Sequence, residues 1–432
     1  MTGRLVLRGA RHPGDIAVED GWITATGDVL AHDGDEVLRV DGDIVTAGLV
    51  NTHHHLYQWL TRGHAVDCDL FGWLVALYPV WARIDAEDVR AAARVGLAEL
   101  ALTGCTTAFD HHYLVPRGDD SVFDALVDAA GEVGLRLHLS RGSMDLGESA
   151  GGLPPDHVVE DRDAILASTE AIHARHHDGE RVSVVVAPCS PFSVTPELMV
   201  ESAALARRLG VRLHTHLAET REEEEDCLAR FGRRPLDLVD EWGWVASDVW
   251  YAHGVHFTDD EVARIGAAGA GVAHCPSSNA RLGAGIARVS DLRAAGATVG
   301  LGADGPASNE IGGLFPELRQ ALFVARLRTG RATDLMPADA LDLATRGGAA
   351  CLGRDDVGRL EVGARADLAV WPADDLTDMA DAVTGLVLGP ERRVRHLLVG
   401  GRPVVTDGRL VGLDLAAGRR DLAVRAARLR GD

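Results

Sequence analysis

Between residues 44 and 309 the chain repeats one pattern: a short apolar run ending in polar or glycine-rich residues, then an Ala-, Leu- and Arg-rich stretch of helical period. Eight runs have this form: "IVTAGLVNTHHH" (44–55), "GCTTAFDHHY" (104–113), "LRLHLSRG" (135–142), "VSVVVAPCSP" (182–191), "VRLHTHLAET" (211–220), "DVWYAHGVHF" (248–257), "AGVAHCPSSN" (270–279) and "ATVGLGADGPASN" (297–309). Helical stretches such as "AEDVRAAARVGLAELALTG" lie between them. Strands alternating with helices predict a parallel sheet, and eight of them predict an α/β fold closed as a TIM-type (β/α)8 barrel. The C-terminal ends of barrel strands carry the chemistry. Here those ends hold histidines, acids and cysteines.

The flanks read differently. Runs such as "RLVLRGA" and "VRHLLVGGRPVVTDGRL", punctuated by "GG" and "DG", predict short antiparallel strands. The expected architecture is a small β-sandwich domain built from both termini, 1–47 plus 355–432, beside a barrel spanning 48–354. The long connection after the first run, "LYQWLTRGHAVDCDLFGWLVALYPVWARID", holds three of the eight tryptophans and reads either as a lid or pocket wall or as an extra helical layer.

Composition narrows the function. With 65 acidic against 43 basic residues the formal charge is -22, which disfavours nucleic acid and anionic membranes and favours a small neutral or cationic ligand. The start has no signal-like apolar stretch, and no segment approaches the length of a membrane span. The six cysteines stand singly, without a CxxC pair, so the expectation is a soluble cytoplasmic protein with reduced thiols, free to form a homo-oligomer. All 43 basic residues are arginine; the chain has no lysine.

In a strand, i and i+2 share a face, so His53 and His55 project together and His54 turns toward the surrounding helices. Paired imidazoles at a barrel mouth suit a borderline cation such as zinc or iron. His216, in "HTHLAET", and Asp304, in "GADGPASN", can complete the shell, because a carboxylate buried there needs a partner. His214 lies one layer deeper and reads as a hydrogen-bonded barrel residue. His253 reads either as a fourth imidazole ligand or as an acid-base group. His111, His112, His138, His256 and His274 read as structural.

The ordered set "GLVNTHHH", "HTHLAE", "AHGV" and "GADGPASN" resembles the amidohydrolase superfamily, in its cytosine deaminase-like ATZ/TRZ branch, and "VGRLEVGARADLAVW" looks like that family's split β domain. The resemblance spans nearly the whole chain. It implies metal ligands His53, His55, His216 and Asp304, a proton-shuttling Glu219 and a catalytic His253, and it leaves His54 and His214 as non-ligands. Many superfamily members bridge two metals through a carboxylated lysine. Without lysine that is impossible, so one divalent ion per chain is expected, zinc with iron as the alternative.

Such an ion lowers the pKa of bound water, and the resulting metal-bound hydroxide attacks an electrophilic carbon. Asp304 accepts the water's proton, Glu219 passes one to a ring nitrogen and His253 steadies the developing charge. The expected reaction is hydrolytic deamination of a cyclic amidine. The stretches "NTHHHLYQ", "LYPVWARI", "DHHYL" and "APCSPFS" look most like members that take 8-oxoguanine to urate and ammonia; alternatives are an s-triazine amino- or chlorohydrolase and an isocytosine- or guanine-type deaminase. Deaminases of S-adenosylhomocysteine resemble "PHSP" where this chain has "PCSP" with Cys189, which argues against an adenosine. Gln58, Trp81 and Cys189 are the expected substrate-binding residues, with Gln58 meeting a base edge and Trp81 offering a stacking face.

Overall fold

In this computed structural model, which describes residues 3–115 and 119–431, eight parallel strands form one sheet in chain order. They are β1 (Leu49–Asn51), β2 (Cys105–Asp110), β3 (Arg136–Ser143), β4 (Val182–Pro188), β5 (Leu213–Leu217), β6 (Val249–His253), β7 (Gly271–His274) and β8 (Thr298–Leu301). Thr52 N donates to Leu301 O at 2.9 Å and Asp304 N to His53 O at 3.0 Å, which brings β8 beside β1 and closes the barrel. Seven of the eight expected runs overshoot these strands at their C-terminal ends, and the run 135–142 stops one residue short of the end of β3. In the seven, the surplus is the turn that follows the strand.

The first run is not one strand. Ile44–Ala47 pairs antiparallel with Leu368–Trp371 in an outer sheet, and the chain crosses into β1 at Gly48. A Cβ at Gly48 would stand 2.2 Å from the Thr106 side chain, so only glycine lets the chain pass there.

The termini supply two further sheets, one of four strands within residues 5–39 and one of five that joins Ile44–Ala47 to strands within 368–410. Leu5, Leu7, Ile16 and Val18 of the first share a buried cluster with Val45, Leu368, Val370 and Leu398 of the second, as in a sandwich. Two features depart from the expected antiparallel ribbons. Leu5–Arg8 pairs parallel with Glu36–Arg39. Residues 415–430 form a helix, capped by Asp414, whose Arg425 and Arg428 bond the fully buried Asp88 on the barrel helix Ala86–Leu102. The chain end therefore packs on the barrel. Among the described residues no helix is long and apolar enough to cross a membrane.

The connection after β1 forms a 3-10 turn (Leu56–Thr61) and then helix α1 (Leu70–Trp81), with Asp69 as its N-cap. Helix α2 (Arg221–Phe231) follows β5. Both begin at the barrel mouth.

Candidate active site

His53 and His55 lie just past the end of β1, His216 on β5, His253 on the last residue of β6 and Asp304 after β8, all at the C-terminal mouth and all at most 8% exposed. Three imidazoles are oriented by what their Nδ1 atoms bond. His55 Nδ1–H donates to His111 O at 2.6 Å and His216 Nδ1–H to Cys189 O at 2.7 Å. His214 Nδ1–H donates to Trp250 O at 2.9 Å, which leaves its Nε2 to accept from His53 Nδ1–H at 3.0 Å. Each of the three Nε2 atoms is then a bare lone pair facing inward. Phe109 and Trp250, 4.9 Å apart, form an aromatic floor against His214.

Two of these lone pairs converge on one oxygen and the third stands against its neighbour. Asp304 Oδ1 is 3.3 Å from His53 Nε2 and 3.4 Å from His55 Nε2, while His55 Nε2 and His216 Nε2 are 3.2 Å apart. Asp304 Oδ2 accepts from Ser278 Oγ at 2.5 Å and Ser308 Oγ at 3.0 Å, and Oδ1 from Gly305 N at 2.7 Å. These donors favour the ionised carboxylate. Burial pushes His53 and His55 down to about 3, so both rings are neutral at physiological pH. Buried His53 Nε2 has no hydrogen-bond partner. Lone pairs packed against one another beside a carboxylate repel unless a cation lies among them, so this donor set fits a divalent metal.

His54 bonds the Asp304 carbonyl through Nδ1 and stands outside the groups of candidate ligands. His111, read as structural, stands with His53, His55 and His216 in one group whose donor atoms lie within 4.8 Å of one another. Its Nε2–H donates to Ala187 O at 2.9 Å, and its Nδ1 is buried without a partner.

Glu219, 4% exposed, places Oε2 3.6 Å from His253 Nε2, and burial, then the charges of Asp304 and Glu222, raise its pKa well above the ordinary range. His253 Nδ1 bonds Asn279 Oδ1 at 2.9 Å, which aims Nε2 at Glu219. Three non-glycine residues here occupy the left-handed region: Ala218 (φ 52°), His253 (φ 72°) and Asp304 (φ 58°). Such strain persists only where surrounding bonds enforce it.

His55, Gln58, Cys189, His216, Glu219, His253 and Asp304 line one cavity with the apolar Leu70, Trp73, Leu74, Phe192 and Leu282. The space open to water inside it is about 30 Å³, room for one or two water molecules. Gln58 Oε1 is buried without a partner and so free to accept from a ligand. Trp81 does not reach the cavity: it is fully buried, with Nε1 donating to Thr61 Oγ1 at 3.0 Å. Trp73, two helical turns earlier, takes the wall position and donates Nε1–H to Ala307 O at 3.1 Å, tying α1 to the loop after β8. Ser278, Asn279 and Ser308 were also missed, although "CPSSN" and "GPASN" carry the signal of small polar residues directly after a strand.

Neutral imidazoles gathered around a carboxylate at the mouth of a closed barrel define a metal-dependent hydrolase. The Amidohydrolase family model matches residues 44–404, and the chain belongs to that family. It is 49% identical over 414 residues to an 8-oxoguanine deaminase of Pseudomonas aeruginosa, covering 94% of this chain and 92% of that one. It is 42% identical over 373 residues to a hydroxydechloroatrazine ethylaminohydrolase of Pseudomonas sp., covering 82% and 77%. An atrazine chlorohydrolase of Arthrobacter aurescens, solved in complex with zinc, superposes with a TM-score of 0.93 at 30% identity, covering 98% of this chain and 100% of that one.

Proposed function

We propose that the protein is a hydrolytic deaminase of a cyclic amidine, with 8-oxoguanine as substrate and urate and ammonia as products. The observation that carries the reaction type is the placing of Glu219, a buried carboxyl in the wall of the cavity whose Oε2 lies 3.6 Å from His253 Nε2. An amine leaves only after it is protonated, whereas chloride needs no proton. The choice of ring rests on the 49% identity to an 8-oxoguanine deaminase over nearly the full length, and on Gln58 and Cys189 in the wall.

His53, His55 and His216, through Nε2, and Asp304 would hold one divalent ion per chain, zinc in this reading. When bound, the ion supplies Lewis-acid activation of water. Asp304 takes the proton of the attacking water. Glu219 gives its proton to the ring nitrogen next to the amine-bearing carbon, so that this carbon becomes tetrahedral. His253, its Nδ1 fixed by Asn279, steadies the charge on the new C–O oxygen. Glu219, now ionised, takes the proton of the new hydroxyl as the carbonyl forms, Asp304 passes the proton it took from water to the amino group, and ammonia departs with both carboxyls restored. Leu70, Trp73, Leu74 and Phe192 exclude bulk water meanwhile.

The test is ammonia release from 8-oxoguanine, guanine, isocytosine, cytosine, adenosine and melamine by metal-loaded enzyme. The reading expects 8-oxoguanine to lead and adenosine to be inert. Efficient turnover of adenosine or S-adenosylhomocysteine would overturn it.

A further inference from the structure

The segment "ETREEE" has the residues of an ordinary helix start, since Thr220 followed three residues later by Glu223 is the capping-box pattern. In that arrangement the threonine hydroxyl takes the N3 amide and the glutamate returns to the N-cap amide. The structure does neither. Thr220 Oγ1 is buried with no hydrogen-bond partner, and no side chain caps α2. Glu223, fully buried, reaches past the N-cap to the two residues before it, with Oε1 accepting from Ala218 N at 3.0 Å and Oε2 from Glu219 N at 2.8 Å.

Those two amides belong to the turn that carries the acid of the reaction. Ala218 is in the left-handed region, and its carbonyl accepts from Val255 N and His256 N just after β6, both at 2.9 Å. The turn is thus held from one side by the chain that follows His253 and from the other by Glu223. The helix forgoes its own cap to secure a strained turn, and that exchange makes sense only if the turn's position matters.

We propose that Glu223 is a positioning residue: its carboxylate clamps the Ala218–Glu219 backbone so that the Glu219 side chain stands against the cavity beside His253. The inference rests on Glu219 as the proton carrier. Two parallel N–H donors need two acceptor oxygens. An amide offers one oxygen and turns an NH₂ toward the other donor, so Glu223→Gln keeps the volume and breaks half the clamp.

The experiment is a double-mutant cycle of Glu223→Gln and Glu219→Gln on metal-loaded enzyme, with the best substrate of the panel, reading kcat, KM, bound metal and melting temperature on the same preparations. A displacement of about 1 Å at a reacting group costs on the order of 100-fold, so Glu223→Gln should lower kcat by ~10- to 100-fold. KM should stay within ~3-fold and metal content should equal wild type. The decisive arm is the double variant, because residues acting through one another are not additive. It should be no slower than Glu219→Gln alone. Wild-type kcat in Glu223→Gln, or the same fold loss in both backgrounds, would overturn the clamp. Should the Gln variant not accumulate as folded protein, Glu223→Asp, which keeps both oxygens but falls short by one methylene, enters the same cycle with the same expectations. If Glu219→Gln itself retained kcat, the proton-carrier reading would fail, and that result is read independently of Glu223.

Discussion

His55 Nε2 and His216 Nε2 face each other at 3.2 Å while the Nδ1–H of each ring is already committed to a carbonyl. Two lone pairs at that separation are a penalty that a shared cation turns into a gain. Metal binding and folding stability are therefore linked, and an ion present at 100 times its dissociation constant stabilises the folded state by roughly 2.7 kcal/mol. Purified enzyme should contain close to one ion per chain, and chelation should lower its melting temperature reversibly. Two tightly held ions per chain would contradict the single-ion reading.

The two carboxylates at the mouth should separate by phenotype. Glu219→Gln should keep the metal and lose ~10²- to 10⁴-fold in kcat, the range for a positioned proton carrier. Asp304→Asn should lose metal as well as activity, since an amide is a weaker ligand and takes no proton from water. His253→Asn should follow Glu219→Gln. Metal content and kcat measured on the same three preparations decide the matter. Near-normal kcat in metal-replete Glu219→Gln would favour a substrate whose leaving group needs no proton.

His214 touches no substrate-facing space, yet it accepts from His53 Nδ1–H and so holds that ring's tautomer. His214→Leu should weaken metal affinity by ~10- to 100-fold, as is usual when the partner of a ligand is removed. Competition against a chromophoric chelator measures this directly. Unchanged affinity would show that packing alone orients His53.

Gln58 should act on binding rather than on the chemical step. Its free Oε1 offers one hydrogen bond to a ring N–H, and such a bond contributes about 0.5 to 1.5 kcal/mol. Gln58→Ala should raise KM by ~2- to 10-fold and leave kcat within a few-fold. A loss confined to kcat would instead place Gln58 against the reacting atoms.

Most of the barrel was legible because each strand is an apolar run punctuated by the polar turn that follows it. The candidate ligands were legible because "HHH", "HTH" and "GADG" stand at or just past the C-terminal ends of strands. What escaped did so for local reasons. Trp81 was preferred to Trp73 because α1 is apolar around most of its circumference, so its sequence does not mark the face that meets the cavity. The helix at 415–430 was hidden among β-like runs, although its Asp414 cap and Ala-, Leu- and Arg-rich content suit a helix. Glu223 was hidden by looking ordinary, since its spacing from Thr220 reads as a cap. Only in the folded chain do its oxygens meet the Ala218 and Glu219 amides.

Asp110, at the end of β2, gives a prediction that activity measurements do not touch. It is fully buried, Oδ1 accepts from Leu56 N at 2.7 Å directly after ligand candidate His55, and Oδ2 has no partner. Burial, opposed by the bond from Leu56, pushes its pKa up to about 7. The folded value then lies above the unfolded value of about 3.9, so between these limits the native state binds the extra proton. Stability contributed by this group therefore falls as pH rises from about 4 to 7, and the cost of the buried charge is fully present above 7. Asp110→Asn removes the ionisation while its side-chain oxygen can still accept from Leu56 N. Relative to wild type, the variant should gain stability with rising pH, by an amount on the order of 3 kcal/mol between pH 4 and 8. Melting temperatures of both proteins across that range, in matched metal and salt, are the measurement. A difference that stays flat with pH would mean that Asp110 titrates alike in the folded and unfolded states, and that water or a bound ion reaches its second oxygen.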